Sequence, residues 1–314
     1  MSPRARVIRS LVSSFAVAAA VSALVAGCSS ESDDAGAPNT ASAGGCAAES
    51  PSRAAGATPV PIAPATVTVL GAGDGERRVA TAAPDVASAQ SVTLVTTSQV
   101  ASPGSSDAQT VETPLTARFG CTEKSDLELD LGTVTSPDTG LTEQLAAMGG
   151  TKAGITLGPG LAPVSLRLAP AADAGEEARL ALEQSLVAAL NTAIVLPTEP
   201  IAVGASWRSE RVIAAAATVT QSIEARLTAW EGDRLTIEFT AEESPVNSVF
   251  AIPGSADTLT ISRYSNTGEG RVTVDLRRGL PVAGEATYRG ARELVGADPA
   301  RPLLQRTGLS VTWR

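Results

Sequence analysis

The chain of 314 residues carries 33 acidic and 24 basic side chains, a net charge of −9, and no histidine. Without imidazole, Ser-His-Asp and Cys-His nucleophile systems and histidine metal sites are excluded, and the acidic balance excludes the basic footprint that nucleic acid requires. Aromatic residues amount to 3%, too few for a surface that stacks sugars or bases.

The N-terminus opens with Arg4, Arg6 and Arg9, followed by an uncharged run over residues 11–25 and the small residues Ala26 and Gly27 before Cys28. A basic start, a short apolar stretch and small residues at its end are the layout of a secretory signal. The run, at about 15 residues, falls short of the ~20 that a spanning helix needs. Leu24-Val-Ala-Gly-Cys28 resembles the bacterial lipobox, whose cysteine receives a diacylglycerol and becomes the new N-terminus. The resemblance implies a signal peptide over residues 1–27 and lipidation of Cys28. Two or three acyl chains bury methylenes at ~0.8 kcal/mol each, enough for stable anchoring. Three arginines and no acid precede Cys28, so the chain from Cys28 onward has a net charge of −12, three below that of the whole. Anionic lipid would not attract such a surface, and the acyl groups must do the holding.

From Ser29 to about Pro64 the residues are Ser, Ala, Gly, Pro and acids, with scarcely a large apolar side chain. Such a segment buries too little surface to offset its ordering entropy. Residues 28–64 therefore read as the acylated cysteine and a flexible tether, about 30–35 Å from end to end as a coil. With Cys28 acylated, Cys46 and Cys121 remain in a compartment where disulfides persist. Bonded, they would tie the leader to the body; the alternative is two free thiols.

Residues 65–314 read as a β-rich extracytoplasmic domain. A short strand over 67–70 precedes Gly71-Ala-Gly-Asp-Gly75. That run lacks Gly-Lys-[Ser/Thr] and opens no apolar helix, so a hairpin turn is expected there rather than a phosphate loop. Strands follow over 91–100, 114–119 and 127–134, then a short helix over 141–148 closed by Gly149-Gly150. A further strand covers 164–168. A long amphipathic helix is expected over 174–195, with Asp173 and Glu176 as a capping box, Leu182, Leu186, Leu190 and Ile194 as its apolar stripe, and Pro197 as its stop. Alternation then marks strands over 223–229 and 235–239, joined at Glu231-Gly-Asp-Arg234, and others over 259–264, 271–276, 282–288 and 308–313. The segment 154–164 echoes 270–282: each is a strand, a Gly-Leu turn and a proline leading into another strand. The fold class is thus mainly β (α+β), with curved antiparallel sheet. Two related β halves, 65–172 and 197–314, would be joined by the helix.

The stretch Leu196-Pro-Thr-Glu-Pro-Ile-Ala-Val-Gly-Ala-Ser-Trp207 is similar to a signature of function-unknown bacterial lipoproteins, a Pro-x-x-Pro-Ile-x-Val-Gly-x-x-Trp loop after a helix. Physically, Pro197 and Pro200 stiffen an extended entry, Gly204 permits the turn, and Trp207 starts a strand and plugs the core. Lysine is nearly replaced by arginine, with only Lys124 and Lys152 present. That usage belongs to a high-G+C genome and points to an actinobacterial source. The family implies no catalytic residue, metal or cofactor. Carboxylate-only catalysis stays formally open, but nothing sets one Asp or Glu pair apart. The expected role is a structural or interaction role in the cell envelope, with the membrane as partner through Cys28. The alternative is a carrier or sensor of a hydrophobic ligand, held between a curved sheet and the helix.

Overall fold

The computed structural model of the protein describes residues 45–57 and 59–314, so the segment expected to be a signal peptide and Cys28 lie outside the described residues. In chain order the elements are α1 (Pro51–Ala54), β1 (Pro59–Pro61), β2 (Thr66–Gly71), β3 (Gln90–Ser102), β4 (Ser105–Phe119) and β5 (Asp126–Leu131). The chain continues through α2 (Thr139–Leu145), β6 (Lys152–Leu157), β7 (Pro163–Ala169), α3 (Glu176–Asn191), β8 (Ser206–Ile213), β9 (Val219–Glu231) and β10 (Arg234–Pro245). It ends with β11 (Val249–Ala251), β12 (Thr258–Asp275), β13 (Ala283–Val295) and β14 (Leu303–Trp313). The protein is mainly β, and its strands form one antiparallel sheet.

Strict alternation builds that sheet. In β9, Val219, Gln221, Ile223, Ala225 and Leu227 point inward, while Glu224 and Arg226 face solvent. Side chains of period two give each strand one buried and one wet face. The β9–β10 hairpin turns at Gly232-Asp233, with Gly232 at φ 58°.

The sheet runs β1-β7-β6-β5-β4-β3-β14-β13-β12-β10-β9-β8-β2, with β11 beside β12. β1 and β2 are neighbours in sequence but sit on opposite edges, β1 on β7 and β2 on β8. The connection between them, residues 62–65, can reach at most about 18 Å at ~3.6 Å per residue. The two edges therefore come close without pairing: the sheet is rolled almost into a barrel and left open. Ile62, in the connecting segment, is buried in the core beside the gap.

Inside the roll, α3 lies against β3, β4 and β7 and against α2. Its sequence is rich in Ala, Leu and Glu, strong helix formers. Ala178, Ala181, Leu182, Ser185, Leu186, Ala189 and Leu190 form its buried face, and the core fills the space between that face and the sheet. A second, smaller cluster of Val219, Phe250, Ile261 and Leu294 sits at the far end, where β11 pairs with β12.

Several expectations change. The helix covers 176–191 rather than 174–195, and Gly175 is its N-cap, with no side-chain capping bond. The Asp173 and Glu176 capping box is therefore not formed. The helix stops early because later carbonyls have partners elsewhere: Arg211 Nη2 donates to Ala193 O at 2.8 Å and Trp207 Nε1 to Val195 O at 2.9 Å. The strands expected over 259–264 and 271–276 are one strand, β12. Its middle looked like a break because Gly268 and Gly270 interrupt the pattern. Both glycines lie under aromatic rings: a Cβ at 268 would meet Tyr288 Cδ1 at 2.5 Å, and one at 270 would meet Phe239 Cζ at 2.6 Å. Residues 71–75 do not make a hairpin turn, since β2 pairs with β8. Instead they pack on the turn at 202–205, with Asp74 N donating to Val203 O and Ala202 N to Ala72 O. The strands expected in the two halves belong to one sheet, meeting where β14 pairs with β3 and where β2 pairs with β8.

Candidate functional site

The stretch expected to be a tether as far as Pro64 is folded over its described part, starting at Gly45. Cys46 and Cys121 are bonded, with S–S 2.01 Å and a sequence separation of 75. Ala47 bridges to the end of β4, donating to Phe119 O and accepting from Cys121 N, each at 2.9 Å. The following turn, α1, then covers a buried polar network on the outer face of β5, β6 and β7. Glu128 Oε1 accepts from Ser50 Oγ at 2.6 Å, Ser52 Oγ at 3.1 Å and Arg167 Nη2 at 3.0 Å. Arg167, 2% exposed, also donates to Ser52 Oγ, Thr156 Oγ1 and Asp126 Oδ1. Arg53 closes the far side on Asp126 Oδ2. Burial works to raise the Asp126 carboxyl, but the hydrogen bonds from Thr156 and Arg53 and the charges of Arg167 and Arg53 outweigh it and hold it below the usual carboxylate value. Composition hid this segment because what orders it is hydrogen bonding and a cross-link rather than apolar area.

Removing the cross-link should be measurable. In Cys121→Ser, the loop that the bond closes is freed in the unfolded chain, and unfolding stability should fall by about 2–4 kcal/mol. Urea unfolding without reductant tests this; an unchanged midpoint would show that the leader is held by its hydrogen bonds alone.

Two cavities flank the C-terminal end of α3. The first is apolar, lined by Leu157 and Leu161, by Val272 and Leu280, and by Ile194 and Trp313, with a volume of about 60 Å³. Both segments of the internal echo, 154–164 and 270–282, contribute walls to it. Its volume is that of about two waters at ~30 Å³ each, well below the ~300–1,000 Å³ of small-molecule sites.

The second, about 200 Å³ and partly open, lies on the other side of that helix end, with Ala188, Asn191, Gln221, Glu243, Tyr288 and Leu309 in its wall. Strand register builds its polar side. Arg211 pairs with Gln221, Gln221 with Glu243, Glu243 with Asn266, and Asn266 through Gly290 with Thr307. This inward row runs across six strands and separates Ile223 of the main core from Val219 of the smaller cluster. Glu243 is its hub, accepting from Gln221 Nε2 at 3.1 Å, Tyr264 Oη at 3.1 Å and Asn266 Nδ2 at 2.6 Å. Burial and the Glu243 charge raise the Tyr288 phenol far above its ordinary value, despite Arg211, so it stays a neutral donor. Burial lowers Arg211, partly offset by Tyr288.

Cys28, the residue expected to be lipidated, falls outside the described residues. Arg211, Gln221, Glu243, Asn266 and Tyr288 are not among the residues that the sequence singles out. A signal existed: β9 and β10 each place one polar residue, Gln221 and Glu243, in an otherwise apolar inward phase, and β8 places two, Ser209 and Arg211. That these residues align needs the register. Among the described residues, no group of three or more Cys, Asp or Glu side chains is placed to hold a metal. No protein-family model matches the chain, and no curated protein is significantly similar to it.

Proposed function

We propose that the protein is a lipoprotein anchored at the extracytoplasmic face of the membrane through Cys28, with a structural or interaction role in the envelope rather than a catalytic one. The observation that carries this reading is the clamp on the N-terminal segment. The disulfide and the Glu128–Arg167 network fasten residues 46–54 to the sheet. Pull on the N-terminus is thus delivered to the folded body rather than to a loose leader. Only the residues between Cys28 and Cys46 would then link lipid to body. The outer face of the rolled sheet does not suit lipid: outward Glu224, Arg226, Glu238 and Thr240 are exposed, and charged residues on a lipid-facing strand surface are costly. Among the described residues no helix is long and apolar enough to cross a membrane. The lipobox at 24–28, the acidic balance and the Leu196–Trp207 loop signature support the same assignment.

The test is the intact mass and location of the protein from its native host. The mature chain should begin at Cys28 with acyl mass on it, and Cys28→Ala should leave the membrane fraction. An unmodified N-terminus, or membrane retention of the variant, would refute the anchor.

The carrier reading is second, favoured by the apolar cavity beside α3. At about 60 Å³ that cavity holds no acyl chain, so carriage requires the helix end to move away from Leu280 and Trp313. Native mass spectrometry of the purified protein decides it: co-purified lipid would put this reading first.

A further inference from the structure

We propose that the pocket between the C-terminal end of α3 and the inward polar row of β8–β10 and β12–β14 binds a small neutral polyol, with Gln221 Oε1 accepting from a ligand hydroxyl and Tyr288 Oη donating to one. Six buried side-chain polar atoms make no hydrogen bond among the described residues, and three of them, on Arg211, Gln221 and Tyr288, belong to this patch. Buried polar atoms are otherwise almost always paired, so their clustering beside a pocket marks a place for a partner. Gln221 is 2% and Tyr288 3% exposed, and both line the pocket.

The orientation of these groups selects the ligand. The Glu243 carboxylate only accepts, so the Gln221 amide must turn its Nε2 to Glu243, and Oε1 is left free. A ligand must therefore bring a donor to Gln221. Tyr288 Oη offers a proton, and so asks for an acceptor. One hydroxylated carbon chain supplies both. Charge narrows the class further. Arg211, fully buried and without an ion-pair partner among the described residues, repels a cation. Glu243, in the pocket wall, repels an anion. A neutral molecule meets neither penalty. The pocket of about 200 Å³ holds the volume of six or seven waters at ~30 Å³ each, which suits a polyol of about the size of inositol. Ala188, Ile213 and Leu309 give its carbon skeleton an apolar wall. Recognition is by hydrogen bonds within a cavity, so it needs no aromatic stacking surface.

The test uses the full chain in a detergent free of sugar groups, with glycerol, erythritol and myo-inositol as probes and acetate as the anionic control. Saturation-transfer NMR and calorimetric titration should show saturable binding of at least one polyol and none of acetate. Tyr288→Phe should weaken that binding by about tenfold or more while leaving the melting temperature of the unliganded protein unchanged, because the lost hydroxyl has no protein partner. Gln221→Met provides a second variant with the same expected loss. No polyol binding, equal binding by the folded variants, or preference for acetate overturns the proposal.

Discussion

Arg167→Ala should lower unfolding stability by about 3–5 kcal/mol, the range for removing one partner of a buried ion pair. It should also loosen the α1 turn, residues 50–54, from the sheet, while the disulfide keeps Cys46 attached. Arg167 lies between two buried carboxylates, with Nη2 at 3.0 Å from Glu128 Oε1 and Nη1 at 3.3 Å from Asp126 Oδ1. Without the guanidinium both acids remain buried, Glu128 keeps only serine donors and Asp126 keeps Thr156 and the half-exposed Arg53. The loss is mainly uncompensated desolvation, so it should depend on pH. The Asp126 carboxyl is held below its ordinary value in the folded protein. Its contribution is therefore present above the unfolded carboxylate value of about 3.9 and is lost as pH falls through the lower folded value. The gap between wild type and variant should be widest near neutral pH and shrink in acid, where the orphaned carboxylates protonate. Urea midpoints at pH 7 and near pH 3 measure it. Hydrogen exchange should show the loosened turn. A gap independent of pH would assign the loss to packing instead.

Trp207→Ala should cost a similar amount, about 3–5 kcal/mol, as large aromatic truncations in cores do. Trp207 is fully buried at the start of β8, and its indole donates to Val195 O at 2.9 Å. The side chain thus fills the core and also pairs with a carbonyl four residues past the end of α3. Trp207→Phe separates the two effects. The ring still fills much of the site, but the buried Val195 carbonyl loses its donor, for about 1–3 kcal/mol. Chemical unfolding of both variants gives the comparison, and equal losses would mean that the hydrogen bond contributes little.

Legibility differed from element to element for physical reasons. The β9–β10 hairpin could be read directly, because the alternation of Ile223, Ala225 and Leu227 and the Gly232-Asp233 turn encode it locally. Trp207 could be placed at a strand start and in the core from its loop alone. The C-terminal end of α3 was misread because Leu190 and Ile194 keep helical spacing, whereas the carbonyls of Ala193 and Val195 pair with Arg211 and Trp207 of another element. The N-terminal segment was misread because Ser50, Ser52 and Arg53 bury little apolar area. Their order comes from Glu128, Asp126 and Cys121, some 70 or more residues away.

The polar pocket was the least visible. Gln221, Glu243 and Asn266 look like isolated exceptions to alternation, and only pairing of β9, β10 and β12 puts them side by side. From sequence alone came the strand-rich class, the solvent and core faces of the later strands, the anchoring expectation at Cys28 and the candidate pairing of Cys46 with Cys121. Those are local signals, carried by side-chain period, turn residues and cysteine count. Tertiary structure alone decided that β1 and β2 close in on each other from opposite edges, and that one inward row is polar. Both depend on strand order and register, and these follow from contacts between residues far apart in the chain.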